Sequence, residues 1–164
     1  MVLGRLRSTE EELQVMPVIH IAKFERFFRV AASLDIDKND LKRYSDFVNQ
    51  KTYDLLLRGQ ATAKANGRDI IEPFDLPITK GLQESIHDFR DIDEEIELQP
   101  ILAYMTTQPQ LDLTYSVETE AQLPGIVGGL SMALARTFKI IDPDLKNPQT
   151  IHWERAFSIF DLLL

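Results

Sequence analysis

The chain has 164 residues, of which 44% are hydrophobic and 27% are charged, and its net charge is −8. These shares are typical of a soluble globular protein with a sizeable core. The chain has no cysteine, which excludes disulfides, thiol catalysis and cysteine metal sites. It has neither a secretory apolar segment nor an apolar run of about 20 residues, so we expect a cytoplasmic protein without membrane contact.

The two halves of the chain differ in charge. Residues 1–90 carry 14 Lys/Arg and 14 Asp/Glu, whereas residues 91–164 carry 4 and 12. Phosphate neutralisation dominates the affinity of proteins for nucleic acids, so a protein that binds DNA through both halves needs basic residues in both. The acidic second half argues against that kind of binding.

The first part of the chain predicts an arm followed by a helix. Residues 1–16 are polar, and either a short capped helix or a frayed tail is consistent with them. After Pro17, the run "IAKFERFFRVAASL" places apolar residues at helical spacing. This spacing predicts a helix of about ten to fourteen residues.

A long helix and a third helix follow. Asp37 is the N-cap candidate of a helix that continues without proline from Lys38 to Asn66, where an Asn-Gly pair ends it. The short "RDII" segment is expected to be extended. Pro73 is expected to open the next helix, which reaches about Phe89.

The second half repeats this short, long, short order. Helices are predicted at about residues 96–106, 116–141 and 152–164, and the connectors hold an extended "LDL" and the loop "DPDLKNPQTI". The charged run "DIDEEIE" at residues 91–97 is interpreted as a solvated linker. Pro124 lies about eight residues into the second long helix, which therefore either bends there or starts later.

Two short-long-short helix triplets with extended segments in their connectors resemble the histone fold. The first half aligns without a gap to an archaeal histone pattern through Arg29-Val30-Ala31, Ile36-Asp37, Gly67-Arg68, Ile71 and Asp75. In that family an arginine and an aspartate seven residues later form an ion pair between the second connector and the third helix. The resemblance therefore implies an ion pair between Arg68 and Asp75.

The whole chain resembles a bacterial family of unknown function in which two histone folds are fused. This resemblance implies an all-α histone-fold pseudo-dimer formed by an intramolecular antiparallel handshake. Its parts are an arm at 1–16, a first triplet at 17–90 and a divergent second triplet at 91–164. A generic bundle of six helices is the alternative.

The second triplet departs from the pattern. Pro148 and Arg155 stand where the arginine and the aspartate belong. The ion pair is therefore absent there, or it is replaced by Arg155 with Asp142 or Asp144. Small residues let helices approach closely, so we expect the glycines of the second long helix to lie where the two long helices cross: Gly125, Gly128 and Gly129.

Histones hold DNA through basic residues of the first helix and the connectors. At these positions the chain has Glu25, Asp35 and Asp69, whose charges repel phosphate. Candidate DNA-binding residues remain in the first half: Lys23, Arg26, Arg29, Lys38, Lys42 and Arg43, with Arg5 and Arg7 in the arm. The alternative for them is a solvated surface with acidic neighbours.

No pattern of residues points to an enzyme. His87 and Asp91 share a helix face, but a second histidine ligand is missing. His152 is expected in the connector. No nucleophile, base and orienting group occur together, so we expect no enzymatic activity, metal, cofactor or small-molecule substrate.

The predicted function is a protein-protein interaction or self-assembly scaffold. Its partner is expected to be basic or apolar, and an exposed apolar stripe in the closing "FSIFDLLL" would favour oligomers. A divergent architectural DNA-binding protein is the alternative.

Overall fold

The computed structural model describes residues 18–105 and 110–164, in which six helices and one pair of short strands form the structure. In chain order these are α1 Val18–Ala32, α2 Lys38–Ala65, β1 Ile70–Ile71, α3 Lys80–Ile96, α4 Gln99–Met105, β2 Thr114–Tyr115, α5 Val117–Ile141 and α6 Thr150–Leu163. The predicted all-α class is confirmed. The arm, with Arg5 and Arg7, lies outside the described residues.

Helix α2 has the start and the end that the sequence predicts. The Asp37 carboxylate accepts hydrogen bonds from the backbone N–H groups of Asn39 and Asp40, and the Asp40 carboxylate accepts one from the Asp37 N–H. At the other end, Gly67 takes a φ of 69°, which is the left-handed region that glycine adopts at low cost. The predicted long helix is confirmed to within one residue.

Helix α3 does not begin at Pro73, so that prediction is wrong. Pro73–Asp75 forms one 3-10 turn, and Leu76 is extended because the following Pro77 disfavours helical backbone before it. The helix starts at Lys80 instead. Its N-cap is Thr79, whose Oγ1 accepts a hydrogen bond of 3.2 Å from the Leu82 N–H.

The acidic run that was expected to be a linker forms the last turns of α3. The helix continues to Ile96 and ends at Glu97, which has a left-handed φ of 59°. Asp93 is buried, and its carboxylate accepts hydrogen bonds from the N–H groups of Leu98 (2.6 Å) and Gln99 (3.2 Å). Asp93 thereby caps the start of α4, and α3 crosses the predicted boundary between the halves at residues 90 and 91.

Helix α5 runs through Pro124, so a later start of this helix is excluded. Its N-cap is Ser116, whose Oγ accepts a hydrogen bond of 3.1 Å from the Thr119 N–H. Proline has no N–H, so the helical hydrogen bond that residue 124 would otherwise donate is missing. The other turns of α5 carry the helix across this position.

The glycines of α5 lie against α3 and not at a crossing of the two long helices. A Cβ atom on Gly128 would lie 2.2 Å from the Phe89 ring, and one on Gly129 would lie 2.4 Å from Ile86 Cγ1. The prediction that these glycines contact the first long helix is therefore wrong. They allow α3 of the first half to pack closely on α5 of the second half. Helices α2 and α5 meet at a buried hydrogen bond of 2.6 Å between Tyr44 Oη and Ser131 Oγ.

Helix α6 closes the core along α2. Phe47 of α2 stacks on Phe157 and meets Phe160 edge to face. Lys51 is buried on α2, with 3% of its side chain exposed, and its Nζ forms ion pairs with Asp161 of α6 and with Asp54. The buried aromatic and ionic contacts thus join the last helix to the first long helix.

The connectors pair crosswise. Residues 66–79 follow α2 and lie beside residues 110–116, which precede α5, because β1 and β2 pair in parallel with Ile70 opposite Thr114 and Ile71 opposite Tyr115. We call these two connectors the strand end. Residues 33–37 and 142–149 form the turn end, where the Asp35 N–H donates a hydrogen bond of 2.7 Å to the Lys146 carbonyl.

Candidate interaction surfaces at the strand end and the turn end

The strand end is fixed by a charged pair. Arg68 Nη1 lies 2.6 Å from Asp75 Oδ2, and Arg68 Nη2 lies 2.5 Å from Asp75 Oδ1. The Asp75 side chain is fully buried and also accepts a hydrogen bond of 2.8 Å from the Glu72 N–H. The hydrogen bonds from Arg68 lower the pKa of Asp75 even though burial opposes this. The pair implied by the histone resemblance is thus present in the structure.

The exposed ring of Phe74 packs against the Arg68 side of this pair. Its ring centroid lies 4.9 Å from the Arg68 guanidinium carbon, and 76% of the residue is exposed to solvent. The arginine therefore contacts the ring without covering it, and Asp75 in turn holds the arginine. The result is an aromatic side chain that is both exposed and positioned.

Two further exposed apolar side chains, Ile70 and Val117, lie on the backbone segments that the strand pair joins. Ile70 is in β1, and Val117 is 78% exposed. Val117 follows Ser116, and the Ser116 N–H donates a hydrogen bond of 3.0 Å to the Ile71 carbonyl. The buried Thr119 side chain donates to the same carbonyl at 2.9 Å. We call Ile70, Phe74 and Val117 the Phe74 surface.

Four carboxylates lie on the same backbone segments as the residues of the Phe74 surface. Asp69, Asp112 and Glu118 are exposed, and Glu72 is half-buried. Arg68 pairs with Asp75, Lys64 Nζ lies 2.9 Å from Asp112 Oδ2, and Lys80 at the start of α3 pairs with Glu84. The strand end is therefore apolar and negatively charged.

The candidate DNA-binding residues do not form a free basic surface. Arg26 Nη2 lies 3.8 Å from Glu95, and Arg29 Nε lies 3.5 Å from Asp35. Lys23 donates to the Glu97 carbonyl at 3.5 Å, and Arg43 donates to Thr150 Oγ1 at 2.8 Å. Lys38 and Lys42 are exposed on the first turns of α2. Of the predicted acidic replacements, Asp35 and Asp69 are exposed and Glu25 is half-buried.

The turn end mixes both signs of charge. Asp37, Asp144 and the lysines Lys38 and Lys146 are exposed there. Asp40 accepts hydrogen bonds from the Asp37 N–H and, at 3.3 Å, from the Trp153 indole N–H. Burial raises the pKa of Asp40 in spite of these two bonds.

The second half has no substitute for the Arg68–Asp75 pair. Arg155 is exposed, and among the described residues it forms no ion pair with Asp142 or Asp144. Asp142 Oδ1 instead accepts a hydrogen bond of 3.1 Å from the Asp144 N–H. Lys139 donates to the Leu145 carbonyl, so this connector is held by hydrogen bonds to backbone atoms.

The closing helix leaves part of its apolar surface exposed. Phe157 and Phe160 pack on Phe47, whereas Leu162 and Leu163 are exposed. Leu162 and Leu163 therefore do not add to the core of the single chain, whereas Leu164 packs against it.

The histidines do not assemble a reactive site. His87 Nε2 lies 3.7 Å from Asp91 Oδ2 on the exposed surface of α3. His152 lies inside α6, not in the connector as predicted, and its Nδ1 accepts a hydrogen bond of 2.9 Å from the Gln149 N–H. Within residues 18–105 and 110–164, no three histidine or acidic side chains are close enough to hold a metal ion, and no helix has the length and apolarity needed to span a bilayer.

Residues 24–161 match a family described as a domain of unknown function, DUF1931. The chain belongs to this family. An uncharacterized protein of Aquifex aeolicus (strain VF5) is 30% identical over 145 residues, which cover 80% of this chain and 83% of the relative. A second one from the same organism is 26% identical over 117 residues, or 71% of this chain and 68% of the relative.

Two solved structures resemble the DUF1931 chain. A crystal structure from Thermus thermophilus is 53% identical, with a TM-score of 0.78 over 88% of this chain and 97% of that one. A crystal structure from Aquifex aeolicus is 23% identical, with a TM-score of 0.79 over 92% of this chain and 99% of that one. The second likeness shows the fold alone.

Sequence reasoning missed the Phe74 surface. It placed Phe74 inside a helix, where the apolar residue would have been assigned to the core. The actual turn at Pro73–Asp75 turns the ring outward, and Pro77 together with Thr79 was the signal that a helix begins later.

Proposed function

We propose that this DUF1931 chain is a single-chain pair of histone folds that acts as a non-enzymatic protein-interaction module. Two features support the paired fold. The connectors pair crosswise, each with a connector of the other half, and Arg68 and Asp75 form the ion pair that the histone resemblance implies. A triplet alone leaves the apolar side of its long helix uncovered, and here α3 of the first half packs on α5 of the second.

The observation that carries the function is the chemistry of the strand end. Histones use paired connectors of this kind to hold phosphate, but here the paired connectors expose Asp69, Asp112 and Phe74. Carboxylates repel phosphate, whereas an exposed aromatic ring with an acidic rim is suited to a protein surface. The fold is used here for its pairing surface and not for wrapping DNA.

DNA binding at the turn end is the second candidate function. It is favoured by one observation, which is that Lys38 and Lys146 are exposed near the N-terminal ends of α2 and α6. Helix N-termini and lysines both attract phosphate. The neighbouring Asp35, Asp37 and Asp144 oppose this attraction.

A titration against fluorescent duplex DNA at about 50 mM and about 200 mM salt separates the two functions. The interaction module predicts no saturable binding at either salt concentration. Tight binding at low salt that falls by orders of magnitude at the higher salt would contradict it.

Two double variants locate any DNA binding that is seen. Lys38→Gln with Lys146→Gln removes the two turn-end charges, and Arg58→Gln with Lys80→Gln removes two exposed charges elsewhere. Loss of binding in the first variant alone would assign DNA binding to the turn end. Equal loss in both would indicate attraction by overall charge without a defined site.

A further inference from the structure

We propose that the Phe74 surface and its surrounding carboxylates form a docking site for a protein segment that combines basic and apolar side chains. The carboxylates are Asp69, Glu72, Asp112 and Glu118. This inference rests on the proposed function, because it names the partner chemistry of the same interaction module.

The first argument is that the central aromatic side chain is prepared for binding. Asp75 is fully buried and holds Arg68 by two hydrogen bonds, and Arg68 holds the exposed ring of Phe74. Fixing a side chain before binding lowers the entropy that association costs. Positioned, exposed aromatic residues are the type that dominates binding energy at protein interfaces.

The second argument is that the exposed apolar side chains at the strand end come from both halves of the chain. The parallel pairing of β1 with β2 brings Ile70 and Val117 onto adjacent backbone segments. Thr119 and Ser116 bond to the carbonyl of Ile71 and fix the start of α5 beside it. The apolar surface therefore exists only because the two halves are paired, so the partner recognises the assembled fold.

The third argument is charge complementarity. Arg68 of the strand end pairs with Asp75, and the adjacent basic residues Lys64 and Lys80 pair with Asp112 and Glu84. Asp69, Glu72 and Glu118, which form none of these pairs, lie on the backbone segments that carry Ile70, Phe74 and Val117. An acidic or phosphate-bearing partner is repelled by such a rim, whereas a basic segment is steered towards it.

Charge also argues against a second copy of this chain as the occupant. Two strand ends facing each other would bring the carboxylates of one copy against those of the other, and like charges in an interface cost several kcal/mol. The exposed Leu162 and Leu163 lie on α6, which is not part of this surface.

The test uses the full chain and two fluorescein-labelled peptides. One peptide consists of three Leu-Lys repeats and the other of three Ser-Lys repeats, so that they carry the same charge and differ in apolar side chains. Fluorescence anisotropy at about 50 mM salt is expected to show saturable binding of the Leu-Lys peptide and weaker binding of the Ser-Lys peptide. Absence of Leu-Lys binding at this salt concentration would overturn the proposal.

Variants assign the binding to the surface. Phe74→Ser is expected to weaken Leu-Lys binding at least tenfold, and Asp69→Asn with Glu118→Gln is expected to weaken it and reduce its salt dependence. The matched control, Glu94→Gln with Glu154→Gln, removes two exposed carboxylates elsewhere and is expected to leave binding unchanged. Equal affinity of wild type and Phe74→Ser, or equal losses in both double variants, would overturn the proposal.

Two further measurements distinguish loss of peptide binding from loss of folding and from self-association. If all variants melt at the wild-type temperature, a loss of binding cannot be explained by a loss of folding. This result is expected for Phe74→Ser because Phe74 is exposed. Sedimentation over a range of concentrations tests for a second copy, and a dimer abolished by Phe74→Ser would overturn the basic-segment assignment. If the peptides fail and DNA also fails to bind, only the docking site is contradicted and the interaction module stands.

Discussion

Each half contributes one connector to the strand end and one to the turn end, yet the two ends are built differently. The strand end has paired strands, a buried carboxylate and the two-point Arg68–Asp75 pair. The turn end has a backbone hydrogen bond from Asp35 to Lys146 and a tertiary hydrogen bond from Trp153 to Asp40. One end is held by strand pairing and by a charged pair inside one connector, and the other is held by scattered hydrogen bonds.

This difference shows how a pairing fold can acquire a binding surface. Asp75 holds the strand-end connector through Arg68, and Phe74 is exposed there without loss of the core. At the turn end, the hydrogen bond between Trp153 and Asp40 holds α6 to α2. Binding chemistry is therefore expected at the end that is more rigid.

The largest expected effect comes from breaking the pair at the strand end. Asp75→Ala leaves the Arg68 guanidinium and the Glu72 N–H without their acceptor, and we expect a loss of about 3 kcal/mol in the free energy of unfolding. Urea denaturation measures this loss. Hydrogen exchange is expected to show faster exchange of the Ser116 N–H than in wild type.

The matched variant at the turn end is Arg155→Ala. Arg155 lies where the histone pattern has its aspartate, but it is exposed and has no ion pair among the described residues. We expect a change within about 0.5 kcal/mol. Similar losses in Asp75→Ala and Arg155→Ala would show that the two ends are not different.

A smaller loss of stability is expected from a substitution between α3 and α5, because the packing of these helices supports both ends. In Gly129→Ala the new Cβ would lie 2.4 Å from Ile86 Cγ1 and 3.0 Å from the Ile86 backbone nitrogen. Overpacking of this kind costs about 1–3 kcal/mol, which exceeds the gain of about 1 kcal/mol in helix propensity. Hydrogen exchange should accelerate equally at the Asp35 and Ser116 N–H groups, because α3 and α5 join the halves.

Gly81→Ala is the control for this substitution. No atom lies within 4 Å of a Cβ at Gly81, so the alanine should stabilise the chain by about 0.4–1 kcal/mol. A Gly129→Ala variant as stable as wild type would mean that the contact between α3 and α5 is looser than described.

The smallest expected effect is a pH dependence of opposite sign at the two ends. The pKa of Asp75 is lowered by Arg68, so the stability it contributes is present above the unfolded pKa of about 3.9 and is lost as the pH falls through the folded value. The pKa of Asp40 is raised by burial, so its contribution is present below the unfolded pKa and is lost as the pH rises through the folded value.

Asp40→Asn tests the predicted pH dependence of stability at the turn end. The amide has one oxygen where the carboxylate has two, so it can accept from the Trp153 N–H or from the Asp37 N–H but not from both. It also removes the titrating group, so the stability of the variant relative to wild type should be lower near pH 3 than at pH 7. Because Asp40 is partly exposed to solvent, we expect this change between the two pH values to lie below about 0.5 kcal/mol. A relative melting temperature that is the same at pH 3 and pH 7, or lower at pH 7, would contradict the assignment.

The sequence predicted the elements whose signals are local. The N-cap at Asp37 and the Asn-Gly end of α2 are set by neighbouring residues, and both appear as expected. The prediction failed where a local signal was ambiguous. Pro73 is compatible with the start of a helix and with a 3-10 turn. Pro77 disfavours helical backbone at Leu76, so only the 3-10 turn forms.

The rest depends on contacts that no local pattern encodes. The glycines of α5 were recognised as a close-packing site, but periodicity does not say whether α2 or α3 fills it. The acidic residues of 91–97 were interpreted as a linker, although Asp93 is buried as the cap of α4. Exposure of Phe74 follows from the strand pairing and the turn together, so composition alone gave no sign of it.

The most direct test is an NMR titration of the 15N-labelled 18.8 kDa chain, first with the Leu-Lys peptide and then with duplex DNA at about 50 mM salt. The account predicts that the peptide shifts the amide signals of Ile70, Phe74 and Val117 and that DNA shifts none. Shifts at Lys38 and Lys146 with DNA, together with no peptide response at the strand end, would contradict it and identify the turn end as a DNA-binding site.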